Sequence, residues 1–215
     1  RDRPMSDRDA SDASDERVTP GGSGGGFGRA WSTLRIPNYT PFFVANLVQF
    51  LVSPIAYIAM QWLMTELTDS RLYITLVSSF SGVTVFLLSP WGGVVADRVA
   101  KKYLLIACRL AMVALVFGMG ALVYAGVVTI VHLWIGSIIG GVIMAMMQPA
   151  SQTFVFDLVG RERIENAVAL NATASGFAQA VSPAAAGVVL AAIGVSMSFF
   201  ASGAGMLLSA GMLLA

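Results

Sequence analysis

Within ten positions, Gly93-Val-Val-Ala-Asp97-Arg98-Val-Ala-Lys101-Lys102, the chain gathers one acid and three bases between long stretches almost free of charge. A second polar cluster follows at Asp157, Arg161, Glu162, Glu165 and Asn166. Arg161 stands four residues from both Asp157 and Glu165, the spacing of ion pairs on one helical face if the turn is helical. A third set is uncharged and scattered through apolar sequence: Asn46, Gln49, Phe50, Tyr57, Gln61, Gln148, Asn171 and Gln179. Amides in hydrocarbon must face other helices or a cavity. These residues could line a path for a large, partly apolar solute, or tie helices together, and both readings stand. Catalysis finds little support. His132 is the one histidine, with no acid at its depth, and Cys108 is the one cysteine. Neither a Ser-His-Asp set nor a metal site can be built from them. The chain therefore reads as a non-enzyme, with no metal and no cofactor. Arg109, six residues past Tyr103, either snorkels to the surface or forms a buried ion pair.

The elements that carry these residues are apolar and long. The 215 residues are 56% hydrophobic and 12% charged, against about 25% charged in soluble domains. Mean hydropathy is +0.75 and net charge +1, with no basic face for nucleic acid. Residues 1–28 are rich in Asp, Ser and Gly and read as a disordered tail. Six apolar runs follow, at about 40–64, 73–96, 103–124, 130–156, 167–193 and 195–215. A helix needs about 20 residues to cross a bilayer core. The expected fold is thus all-α, with six transmembrane helices over residues 29–215.

The gaps set the orientation. Arg29 and Arg35, then Arg98, Lys101 and Lys102, then Arg161 and Arg163 fall on one side, while the other has Arg71 alone. The positive-inside rule puts the basic side and the N-terminus in the cytoplasm. Gly136, Gly140 and Gly141, and Ala180, Ala184, Gly187 and Ala191, mark faces for close helix packing. Pro54 and Pro183 are the most central prolines and the better candidates for kinks.

The loop Gly93–Lys102 resembles the signature loop of the major facilitator superfamily: Gly, three residues, Asp, a base, one residue, Gly, then two bases. Ala100 replaces the usual Gly and Lys101 the usual Arg. Residues 148–172, "QPASQTFVFDLVGRERIENAVALNA", resemble the matching region of the drug- and siderophore-exporting branch, with its enterobactin exporters and macrolide-efflux-like proteins. Pro149, Asp157, Arg161, Glu162, Asn166, Ala167 and Asn171 carry that likeness. The resemblance implies the N-terminal bundle of a twelve-helix carrier, built of two inverted three-helix repeats. It implies a small-molecule solute, alternating access and an ion gradient, in a bacterial inner membrane. It implies that Asp97 latches a partner half, while Arg98, Lys101 and Lys102 hold the loop at the anionic leaflet. The chain opens on Arg1 and ends at Ala215 in an apolar run, which reads as a fragment lacking its C-terminal half, or as one that pairs with a second copy. The alternative function is a non-transporting bundle that acts as an assembly or scaffold partner in the bilayer.

Overall fold

The computed structural model describes residues 39–214, apart from the side chains of Asp97 and Leu214. The tail, Arg29 and Arg35 lie outside the described residues. Helices make up almost all of the rest: α1 (Tyr39–Leu67), α2 (Arg71–Arg98), α3 (Lys101–Tyr124), α4 (Ile130–Val159) and α5 (Ile164–Leu214). All five are long and apolar enough to cross a membrane. Each of the first four runs up to three residues beyond its apolar stretch at one or both ends. Arg71, Arg98 and Lys101 continue the helices into what becomes the polar interface, because a charged residue there costs no helical hydrogen bonds.

Five helices of membrane-crossing length, not the expected six, are thus found among the described residues. The expected fifth and sixth spans are one 51-residue element, α5. Straight, it would reach about 76 Å, more than twice a bilayer core. It is not straight. Gly194 has φ 77 and ψ 172, a conformation that glycine alone takes up without strain. Both parts of α5 lie against α1, in opposite senses. Before Gly194, Tyr39 pairs with Ala167 and Leu51 with Ser182, so numbers rise together. After it, Ala45 meets Ser209 and Val52 meets Gly205, so they run oppositely. One glycine does the work of a loop, and no polar turn marks the place.

The remaining contacts complete the bundle. α2 runs parallel to α4: Tyr73 and Phe80 pack on Trp134, with ring centroids 5.6 and 5.7 Å apart, and further along Thr84 meets Gly141 and Gly92 meets Ala145. α3 lies antiparallel to α4 and to the last part of α5, where Gly120 meets Phe199 and Phe117 meets Gly203. Two apolar clusters fill the interior. One, around Tyr39, Phe42, Leu105, Ala150 and Ala167, occupies the end bearing the basic residues, here called the basic end. The other, around Leu63, Met64, Val77, Met119, Leu133 and Phe199, occupies the opposite end.

Small residues and proline act together at one crossing. Pro149 has no N–H, so the Ala145 carbonyl four residues back loses its helical partner. That carbonyl points at Gly92 of α2, where a Cβ would stand 2.1 Å from its oxygen. Only glycine allows this approach. Pro54, Pro90, Pro149 and Pro183 all sit inside helices.

Candidate functional site

The polar residues fall into three groups at different depths. The first is at the basic end. Val99 and Ala100 link α2 to α3 with φ −114 and −59, so the usual glycine is not needed here: the turn has no left-handed residue to accommodate. Lys101, at the first turn of α3, donates from Nζ to Asp157 Oδ2 of α4 at 2.7 Å. The two loop regions singled out in the sequence are therefore joined by an ion pair. Gly160, with φ 70, ends α4 between Asp157 and Arg161. The helix that would align Arg161 with Asp157 is interrupted there, and the Asp157 carboxylate goes to Lys101. Arg98, Lys102, Arg161, Glu162 and Glu165 are exposed, Gly93 and Asn166 half-buried. Asp97 is the penultimate residue of α2.

The second group lies inside the bundle. Arg109 is 3% exposed, in a seam between α1, α3 and the last part of α5. It donates from Nη2 to Asn46 Oδ1, and from Nη1 to the carbonyl and hydroxyl of Ser209. The Ser209 hydroxyl donates onward to Ala45 O at 2.9 Å. Arg109 Nε has no partner. The guanidinium thus neither snorkels nor meets an acid. Its bonding partners are a neutral amide, a hydroxyl and a carbonyl, and it fastens three helix segments together about 12 Å in from Lys101. Gln49, one turn beyond Asn46, donates to Ser53 Oγ at 2.9 Å and is equally buried. Near the basic end, Asn171 donates to Tyr39 Oη at 3.0 Å, and Tyr39 to Ala167 O at 3.3 Å.

The third group lies toward the opposite end, between α1 and α2. Gln61 Nε2 donates to Ser78 Oγ at 2.6 Å and to Tyr57 Oη at 3.1 Å, and the two hydroxyls are 3.1 Å apart. Tyr57 is half exposed. Beyond it, Trp62 Nε1 donates to Glu66 Oε1 at 2.8 Å. Ser78 gave no signal in the sequence, since a serine in an apolar run is ordinary. The helical spacing of Tyr57 and Gln61 was the cue available.

Of the remaining polar positions, Gln148 and Gln179 are exposed, the latter bonded to Ser175 Oγ at 3.1 Å, and Phe50 is half-buried. Asn46 and Gln49 are enclosed by helices. His132 is a cap: its Nδ1 accepts from the Thr129 N–H at the start of α4 at 3.2 Å. Among the described residues no three His, Cys, Asp or Glu side chains gather as metal ligands.

An apolar multi-span bundle with a paired signature loop at one end belongs to a defined class. Residues 28–214 match the family model described as "Transmembrane secretion effector", a major facilitator family, and the chain belongs to that family. Its members are not enzymes. The chain is also 26% identical over 163 residues to the Staphyloferrin A transporter of Staphylococcus aureus, covering 74% of this chain and 41% of that protein. The chain thus spans well under half the length of that relative.

Proposed function

We propose that the chain forms one six-crossing half of a transporter that exports a small molecule, driven by an ion gradient through alternating access. The family match across residues 28–214 carries this reading. The packing supports the finer architecture. Exchanging the first three crossings for the last three turns the α1 and early-α5 pair into the α4 and α2 pair, and both pairs are parallel. That is the pattern two inverted three-helix repeats produce. Gly194 then separates the fifth crossing from the sixth, and the basic end lies in the cytoplasm of a bacterial inner membrane.

On this reading solute binds between this half and a second six-helix half. The Lys101–Asp157 pair holds the signature loop in place, and Asp97 serves as the latch to the partner half. Asn46 and Gln49 serve the bundle's integrity, while Tyr57, Gln61, Gln148, Asn171 and Gln179 face the path. The relative's name makes a siderophore the first solute to try. The test is efflux from vesicles carrying the complete gene product. Asp97→Asn should cut the rate severalfold at unchanged protein level. An unchanged rate removes the latch, and no gradient-dependent efflux of any solute removes the transporter.

A further inference from the structure

Arg109 is a cation whose partners carry no charge. A neutral amide, a hydroxyl and a carbonyl hold its two Nη groups. Such bonds fix a guanidinium and offset its desolvation, but they do not cancel its charge. Among the described residues, every other Asp, Glu, Lys and Arg lies at a helix end or in a connection. They fall within 66–71 at the opposite end, and within 97–102 and 157–165 at the basic end. The described span interiors therefore carry one formal charge among their acids and bases, and it is positive.

Helix register shows what shares the depth of that charge. Lys101 pairs with Asp157 and Met119 packs on Gly136, so α3 and α4 run oppositely and Arg109 is level with Gln148. Tyr39 pairs with Ala167 and Leu51 with Ser182, so Asn46, which holds Arg109, is within a turn of the level of Gln179. Gln148 and Gln179 are both exposed. They belong to α4 and α5, next to the helices that form the seam, so the guanidinium lies about one helix diameter away, roughly 10–12 Å. Both are neutral amides and leave its field unopposed. The Tyr57, Gln61 and Ser78 triad stands about 16 Å further along α1, toward Glu66.

We infer that Arg109 determines specificity: its uncancelled charge makes the middle of this half favour an anionic group on the solute, a carboxylate for example, and disfavour a cationic one. The inference rests on the transport reading. Arg109 does not touch the solute but acts on it through α1 and α4. A neutral side chain could join the same three helix segments without the cost of burying a charge.

The test reads the field directly, in the complete protein with Cys108→Ala. Gln148→Cys, Gln179→Cys and Tyr57→Cys are made singly in membrane vesicles of both orientations. Each is treated at low ionic strength with sulfonatoethyl or trimethylammonioethyl methanethiosulfonate, two impermeant reagents of opposite charge. The ratio of anionic to cationic rate, each normalised to a free thiol, cancels differences in thiolate fraction. At the dielectric constant of water, a unit charge about 12 Å away changes the two rates in opposite senses, and their ratio by about threefold. The ratio at Gln148→Cys and Gln179→Cys should therefore exceed that at Tyr57→Cys at least about threefold. It should fall by as much when Asn46→Leu, Arg109→Met and Ser209→Ala are combined, and Arg109→Lys should preserve it. Equal ratios at the three positions overturn the assignment, whether or not the triple variant reaches the membrane. A high ratio that survives loss of Arg109 overturns it too, and leaves the path reading standing. No labelling of Gln148→Cys or Gln179→Cys by either reagent removes the path reading, and the assignment with it.

Discussion

The Arg109 seam and the Tyr57 triad are both polar clusters in an apolar bundle, yet they are built on opposite plans. Arg109 carries a full charge, is 3% exposed and joins three helix segments. The triad carries no charge, stands half open at Tyr57 and bridges α1 and α2, two helices with little other contact. A charge in hydrocarbon costs about 2.5–3.5 kcal/mol even on insertion scales, and here fixed partners on both Nη atoms offset that cost. Such a group is committed to the bundle. A neutral hydroxyl cluster costs less to leave open and stays free to exchange partners. Burial therefore separates polar residues that hold the helices together from those left open at the surface of the bundle.

The sharpest way to break this contrast is Arg109→Ala. It leaves the neutral Asn46 and Ser209 acceptors unpartnered and should cost about 1–3 kcal/mol, read as a fall in unfolding midpoint or in membrane level. Replacing all three at once, Asn46→Leu with Arg109→Met and Ser209→Ala, should recover much of that loss, since an apolar seam has no orphaned groups. Failure to recover would mean that Arg109 does more than join helices. Gly92→Val forces a branched side chain against the Ala145 carbonyl and should cost about 1–3 kcal/mol by the same unfolding measurement. A tolerated valine would show that α2 and α4 can part at that level. Lys101→Ala and Asp157→Asn should each cost under about 1 kcal/mol, and a double-mutant cycle should give a coupling no larger, because the pair is partly exposed. Tyr57→Phe should move stability by less than about 0.5 kcal/mol by the same unfolding measurement, since the half-exposed hydroxyl gives up little on losing its partners. A large stability loss there would put the triad in the same category as the seam.

Much of this was readable in the residues. The apolar runs located every helix, because a bilayer allows little else to a stretch of that length. The place of the last reversal was legible as well, at 194, but not its form. Chain reversals in soluble proteins advertise themselves by polar residues, and here one left-handed glycine sits among Ile193, Val195 and other apolar neighbours. That α1 runs parallel to the first part of α5, and α2 parallel to α4, was hidden because it lives in which helices pair, not in which residues recur. The partners of Arg109 were hidden for a similar reason. Asn46 and Ser209 lie 63 and 100 residues away, so depth alone could suggest only a snorkel or an acid. At the basic end the two charged loops were visible separately. Gly160, which ends α4 before Arg161 and leaves Asp157 to Lys101, was one glycine among 22.

The single-residue reversal at Gly194 also bears on what the end opposite the basic loops offers to other molecules. Three connections show there: residues 68–70, residues 125–129 and Gly194 itself. All three are short, the longest being residues 125–129, so that end shows little besides helix termini.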